Sequence, residues 1–160
     1  MNESLRRNSR GWNVDPPAYI HSRILFGPGV YLTPEFLEKH SITHVINCAF
    51  DGDSPLWFRQ TYPTKYKCLE AMDSLNVSII GWYPMFERTI HQFLREEGSK
   101  CVYIHCQAGM NRSGFLALAF ACHRLNMDFQ SAVAVILRQR PCALMNPAFY
   151  KQVYEFSGQT

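Results

Sequence analysis

No apolar run in the 160 residues approaches the ~20 needed to cross a bilayer. The opening Met1-Asn2-Glu3-Ser4-Leu5-Arg6-Arg7 lacks the apolar centre of a secretion signal. Both absences predict a protein that stays in the cytoplasm and does not enter a membrane. Paired cysteine spacings are missing too, so the six cysteines read as reduced thiols rather than as a disulfide framework. Internal repeats and low-complexity segments are also lacking. Charge of one sign is scarce: the net charge of +3 suits a small anionic ligand without calling for nucleic acid. Hydrophobic residues at 47% against charged residues at 18% give a globular composition, long enough for one domain with a real core.

What the chain does have is concentrated in the stretch from Val102 to Gly114. Cys101 to Ile104 is an apolar run that predicts a buried strand. A polar, glycine-bearing loop follows, and Phe115 to Leu125 predicts an almost wholly apolar helix. Strand, tight loop and helix start make an anion site. Backbone N–H groups from Gln107 through Ala108, Gly109, Met110 and Asn111 to Arg112 can converge on one oxyanion, with the helix dipole adding positive potential. Cys106 begins the loop, where this field favours a nucleophilic thiolate. Arg112 ends it with a planar fork that matches two oxygens of a phosphate. A Walker-type loop is excluded because no Gly-Lys-Ser/Thr follows the glycine. No CxxC or HxxxH pair accompanies Cys106, so no metal is expected, and no cofactor is called for.

Along the chain, residues 1–18 read as an N-terminal arm, either flexible or a short helix that packs on another surface. A second copy of the chain is one such surface, giving a homodimer. Arg6, Arg7 and Arg10 read as a solvated face. Tyr19 to Phe26 predicts a strand closed by Gly27-Pro28-Gly29, and Val30-Tyr31-Leu32 a second short strand. Thr33 caps a helix with Pro34 at its first position, running to about His40. Thr43 to Cys48 is the next strand, residues 51–64 a loop, Tyr66 to Glu70 a strand and Ala71 to Ser78 a polar loop. Trp82 to Glu97 has its apolar residues at helical spacing and stops at Gly98. Beyond the central stretch, Asp128 caps a helix through Leu137, ended by Pro141, and Asn146-Pro147 opens the last one, to about Phe156. Alternating strands and helices predict an α/β fold, a mostly parallel sheet with helices on both faces and the Cys101–Ile104 strand central. The site then lies beyond the carboxyl end of that strand.

The pattern His105-Cys106-x-x-Gly109-x-x-Arg112-Ser113 resembles the signature loop of the cysteine-based protein tyrosine phosphatases. Over roughly residues 19–156 the chain is similar to a compact atypical dual-specificity phosphatase, with 19–160 as catalytic domain. Its Gly-Met-Asn-Arg-Ser-Gly loop is similar to that of small poxvirus enzymes, which adds the host cytoplasm or a virion as locations. The resemblance implies hydrolysis of phosphotyrosine, phosphoserine and phosphothreonine in protein substrates through a cysteinyl-phosphate. The leaving oxygen then needs a proton. Asp73, in the Ala71-Met72-Asp73 context, is the candidate donor, with Glu70 as nearest competitor and Asp51 and Asp53 as remoter ones. The hydroxyl of Ser113 would bond the Cys106 sulfur and ease its departure, or simply cap the helix. His105 would orient the loop or be a buried structural residue. Asn146 matches the family's late Asn-x-x-Phe pattern, and is also a plausible helix N-cap.

Related RNA 5′-triphosphatases, phosphoinositide phosphatases and a non-catalytic phosphopeptide-binding pseudophosphatase are the alternatives. Ser113 with Asp73 argues against the first. Gln107 and Met110 stand where phosphoinositide enzymes place lysines. The retained Cys106, Arg112 and Asp73 argue against the third. For redox control, Cys48 is expected to be the partner of Cys106. Cys101 points to the opposite face of the strand, Cys122 and Cys142 lie farther along the chain, and Cys68 is expected to pack below the site.

Overall fold

The computed structural model describes residues 2–158. Its five strands are β1 (Ala18–His21), β2 (Ile24–Pro28), β3 (Ile42–Asn47), β4 (Tyr66–Cys68) and β5 (Cys101–Cys106). They form one sheet in the order β1-β2-β5-β3-β4, parallel except for the β1–β2 pair. The helices are α1 (Asn2–Arg6), α2 (Pro34–His40), α3 (Leu56–Thr61), α4 (Tyr83–Arg95), α5 (Arg112–Arg124), α6 (Phe129–Gln139) and α7 (Pro147–Phe156). β5 is central, as its continuous apolar sequence requires of a strand covered on both faces.

The alternation of side chains along each strand divides the core in two. Val102, Ile104 and Cys106 of β5, with Ile24 and Phe26 of β2, face a large cluster built with α4, α5, α6 and α7. Leu25, Val45, Cys101 and Tyr103 face a smaller cluster under α2 and α3. α5 is buried from Arg112 through Ala121, so it is apolar all round because protein surrounds it.

Local signals explain the helix starts. Thr33 Oγ1 accepts from Phe36 N at 3.1 Å, Asp128 accepts from Ser131 N at 3.1 Å, and Asn146 Oδ1 accepts from Ala148 N and Phe149 N at 3.0 and 3.2 Å. The helix expected over Trp82–Glu97 is α4 after a 3₁₀ turn at Ile79–Trp82, with Gly98 left-handed just beyond it.

Several expectations need correction. The strand expected over Tyr19–Phe26 is a hairpin, because the chain reverses between His21 and Ile24. Gly27 and Pro28 belong to β2, where they pair with His105 and Cys106. The strand expected at Val30-Tyr31-Leu32 is a 3₁₀ turn over Gly29–Tyr31, and the loop at 51–64 contains α3. Short runs do not carry their own period; packing decided these segments. Arg7 and Arg10 are exposed, but Arg6 is not on a solvated face. Its guanidinium donates to the carbonyls of Pro141, Ala143 and Leu144 at 2.9, 2.5 and 2.9 Å. Of the two readings of the arm, the packing helix is the one realised: α1 lies against α6 of the same chain.

Candidate active site

The loop Gln107–Asn111 leaves the carboxyl end of β5 and enters α5 at Arg112. Gly109 is what lets it turn. Its φ of +64° is left-handed, and a Cβ there would collide with the backbone of Gly27 and Pro28. The signature loop therefore rests on the end of β2.

The outward-facing carbonyls of this loop are bound one after another. Ala108 O and Gly109 O each accept from Arg140 at 2.7 Å, and Met110 O accepts from Leu144 N at 2.9 Å. Carbonyl and N–H of a peptide unit point in opposite directions, so the N–H groups of Gly109, Met110 and Asn111 are turned away from these partners. These three N–H groups are among those that the sequence reading assigns to an anion cradle. Cys106 Sγ lies 3.2 Å from Ser113 Oγ, and both residues are buried. Arg112 is only 9% exposed, and its Nη1 donates to Ala71 O at 3.1 Å. Its Nε has no partner; among the described residues it is the one buried side-chain nitrogen or oxygen so left.

His105 projects from the other face of β5 and is buried. Its Nδ1 lies 3.2 Å from Cys106 O and its Nε2 3.0 Å from Ser54 Oγ. Burial pushes its pKa down to about 4, so the ring is neutral at physiological pH. The contact with Cys106 O and the complete burial are compatible with both readings offered by the sequence.

Asp73 is exposed on the loop after β4. One carboxylate oxygen accepts from Asn111 Nδ2 at 3.0 Å and the other from Asn146 Nδ2 at 2.9 Å. Asn111 Oδ1 in turn accepts from the backbone N–H of Met145 and Asn146, both at 2.9 Å. Two amides thus tie the Asp73 loop to the signature loop and to the start of α7. Asn146 both caps α7 and holds Asp73. The competing carboxylates are placed otherwise. Asp51 accepts from Tyr66 Oη, at the start of β4, at 2.7 Å, and Asp53 from Phe50 N within its own turn at 3.3 Å. Glu70 is exposed, at a left-handed turn with φ of 57°.

Sequence reasoning missed Arg140, which is 0% exposed and lies under the loop. An arginine in Arg138-Gln139-Arg140-Pro141 carries no local signal that separates a buried side chain from a helix-terminal one. Among the described residues no cluster of three or more His, Cys, Asp or Glu is placed to hold a metal ion.

Comparison with known proteins agrees with this geometry. Residues 25–159 match the family "Dual specificity phosphatase, catalytic domain". The chain is 33% identical to zebrafish dual specificity protein phosphatase 22-B over 122 residues, 76% of this chain and 63% of that one. It is 27% identical to mouse dual specificity protein phosphatase 19 over 119 residues, 74% of this chain and 51% of the relative. The chain thus spans about half to two thirds of the length of these curated relatives. Among solved structures, the human tyrosine phosphatase-like serine/threonine/tyrosine-interacting protein superposes with a TM-score of 0.74 at 26% identity, over 89% of this chain and 95% of that one. With residues 25–159 matched, a span that holds Asp73, Cys106 and Arg112, the chain belongs to the dual specificity phosphatase catalytic-domain family.

Proposed function

We propose that this protein hydrolyses phosphotyrosine and phosphoserine or phosphothreonine in protein substrates through a cysteinyl-phosphate. The observation that carries the reading is Arg112 Nε, a buried donor with no acceptor beside Cys106 and its cradle. Buried donors are rarely left unpaired, and a phosphate oxygen is the acceptor this one fits.

The cradle N–H groups and Arg112 bind the phosphoryl oxygens and stabilise the charge they share during transfer. Cys106 Sγ attacks phosphorus in line with the leaving oxygen, and Asp73 gives that oxygen a proton. In the second step water attacks the cysteinyl-phosphate while Asp73 takes its proton. Ser113 Oγ donates to Sγ as the thiolate departs, a role its 3.2 Å separation supports. Asn111 and Asn146 hold the Asp73 loop to the signature loop, and His105 holds that loop's first peptide.

All six cysteines are free thiols, which supports a reducing, cytoplasmic location for this chemistry. Phosphorylated protein is the proposed partner. Self-association through the outer face of the arm, where Arg7 and Arg10 are exposed, is a further proposal that sedimentation velocity decides. The functional test is a side-by-side assay of phosphotyrosine and phosphothreonine peptides, a phosphoinositide and a 5′-triphosphate RNA. Turnover of the two peptides above the other substrates is expected. Exclusive turnover of lipid or RNA would replace the reading, and binding of phosphopeptide without turnover would make the chain a pseudophosphatase.

A further inference from the structure

Arg140 is the largest of the fully buried side chains, yet among the described residues it forms no ion pair. Burying a guanidinium costs several kcal/mol unless its donors are all met. Here they are met by main-chain carbonyls alone. Nε donates to Gly109 O at 2.7 Å, and Nη2 to Ala108 O and Trp12 O, both at 2.7 Å. Nη1 donates to Asp15 O and Pro16 O at 2.7 and 3.2 Å. The face of Tyr31 lies 5.7 Å from the guanidinium carbon. The carboxylate of Asp15 is occupied by Ser9 Oγ and the N–H groups of Arg10 and Cys142, at 2.8, 2.6 and 3.1 Å.

Two consequences follow for the cradle, on the reading that Gln107–Arg112 binds phosphate. The fork fixes two successive carbonyls outward and so aims the N–H groups of Gly109 and Met110 inward. It also sets an uncompensated positive charge one peptide behind the anion. Lysine would supply the charge without the planar fork that spans two adjacent carbonyls.

We propose that Arg140 is a positioning residue for the phosphate cradle, and that segment 12–16 of the N-terminal arm is its far anchor. The arm is then part of the catalytic apparatus: the same guanidinium that orients Ala108 and Gly109 is held in place by the carbonyls of Trp12, Asp15 and Pro16. Arg6 reinforces the arrangement from the side. It binds the carbonyls of Ala143 and Leu144, and Leu144 N holds Met110 O.

The test uses the full chain with Arg140→Met, which keeps the volume and removes the donors, and Arg140→Lys. Binding of inorganic phosphate is measured by calorimetry beside circular dichroism, thermal melting and p-nitrophenyl phosphate kinetics. Arg140→Met is expected to keep its secondary structure, to bind phosphate at least tenfold more weakly and to show a raised KM. Arg140→Lys is expected to recover part of that loss. A lower melting temperature with unchanged phosphate affinity and KM would make Arg140 merely structural and overturn the proposal. Should Arg140→Met fail to fold, Arg140→Gln is read the same way: it is shorter and lacks the Nε and Nη2 donors that face the two loop carbonyls, and parent-like affinity in it would be equally fatal. Phosphate binding is read without turnover, so a parent that binds phosphate but hydrolyses no phosphopeptide sinks the phosphatase reading alone. A parent that binds no phosphate overturns the cradle and this proposal together.

Discussion

Asn146 Nδ2 lies 2.9 Å from Asp73 Oδ1, while Oδ1 of the same side chain caps α7 at Ala148 and Phe149. One residue thus joins a helix start to the proposed acid. Asn146→Ser keeps a capping oxygen and removes the amide that reaches Asp73. It should melt within a few degrees of the parent and lose about tenfold in kcat on alkyl phosphates, part of the 10²–10⁴ that general acid catalysis supplies. Asn146→Ala should also lose about 1 kcal/mol of stability with the cap. Equal kcat losses on alkyl and p-nitrophenyl phosphate would uncouple Asn146 from the acid.

Asp73→Asn should lower kcat on alkyl phosphates by about 10²–10⁴. The loss should shrink as the leaving group becomes more acidic, because such groups hardly need a proton. A leaving-group series of aryl and alkyl phosphates measures this. A uniform loss would point to a disturbed loop and move attention to Glu70.

Cys106→Ser should abolish turnover and keep phosphate binding, since a serine hydroxyl is not ionised by the field of the cradle. Arg112→Lys should fail as well, because an ammonium cannot reproduce the two-point fork. Burst and steady-state assays on p-nitrophenyl phosphate check both. A tenth of the parent rate in Cys106→Ser would remove Cys106 as nucleophile.

The register of β3 against β5 bears on redox chemistry. Cys48 N donates to His105 O at 2.7 Å, which continues the ladder and sets Cys48 beside Cys106 on the same face. Adjacent strands are about 5 Å apart, inside the ~7 Å between Cα atoms that a disulfide needs. Cys68 pairs with Asn47, so it shares a face with His105 instead. Burial pushes the Cys48 thiol well above its ordinary range, so Cys106 should be oxidised first. Hydrogen peroxide converts its thiolate to a sulfenic acid, and the Cys48 thiol then displaces water to form the disulfide. Peptide mapping should find the 48–106 link, and Cys48→Ser should recover less activity under thiol. Full recovery of that variant would end the idea.

His105 supplies a pH dependence. Its folded pKa, near 4, lies below its ordinary 6.5. Between these values the unfolded chain binds more protons, so stability rises with pH through the window. The contribution is complete above about pH 6.5 and is lost as pH falls towards 4, on the order of 3 kcal/mol in all. Urea melts at pH 7, 5.5 and 4.5 should show the decline, and His105→Gln should show a shallower one. Identical slopes for the two proteins would contradict this assignment.

The sequence by itself determined the strand-loop-helix unit. A run of apolar residues, a cysteine, a glycine that must turn left-handed and an arginine at the helix start each act through local backbone sterics and fixed spacing. The caps at Thr33, Asp128 and Asn146 were legible for the same reason. Only the tertiary structure decided the rest. Asp73 was already the candidate acid in the sequence, but its tethering by Asn111 and Asn146, from two distant segments, came only with the fold. Cys48 rather than Cys68 neighbours Cys106 because β3 pairs with β5 in one register, and a slip by one residue would have exchanged the two faces. Arg6 read as a solvent-facing cation and Arg140 carried no local signal; Arg140 became a buried support because the arm and the signature loop converge on it with their carbonyls, and Arg6 binds those of Pro141, Ala143 and Leu144. The Tyr19–Phe26 run folded back as a hairpin, although nothing in its alternation marked the turn. Except for the hairpin, each of these outcomes is a contact between residues far apart in the chain, and local propensity holds no information about which distant partner will satisfy a buried polar group.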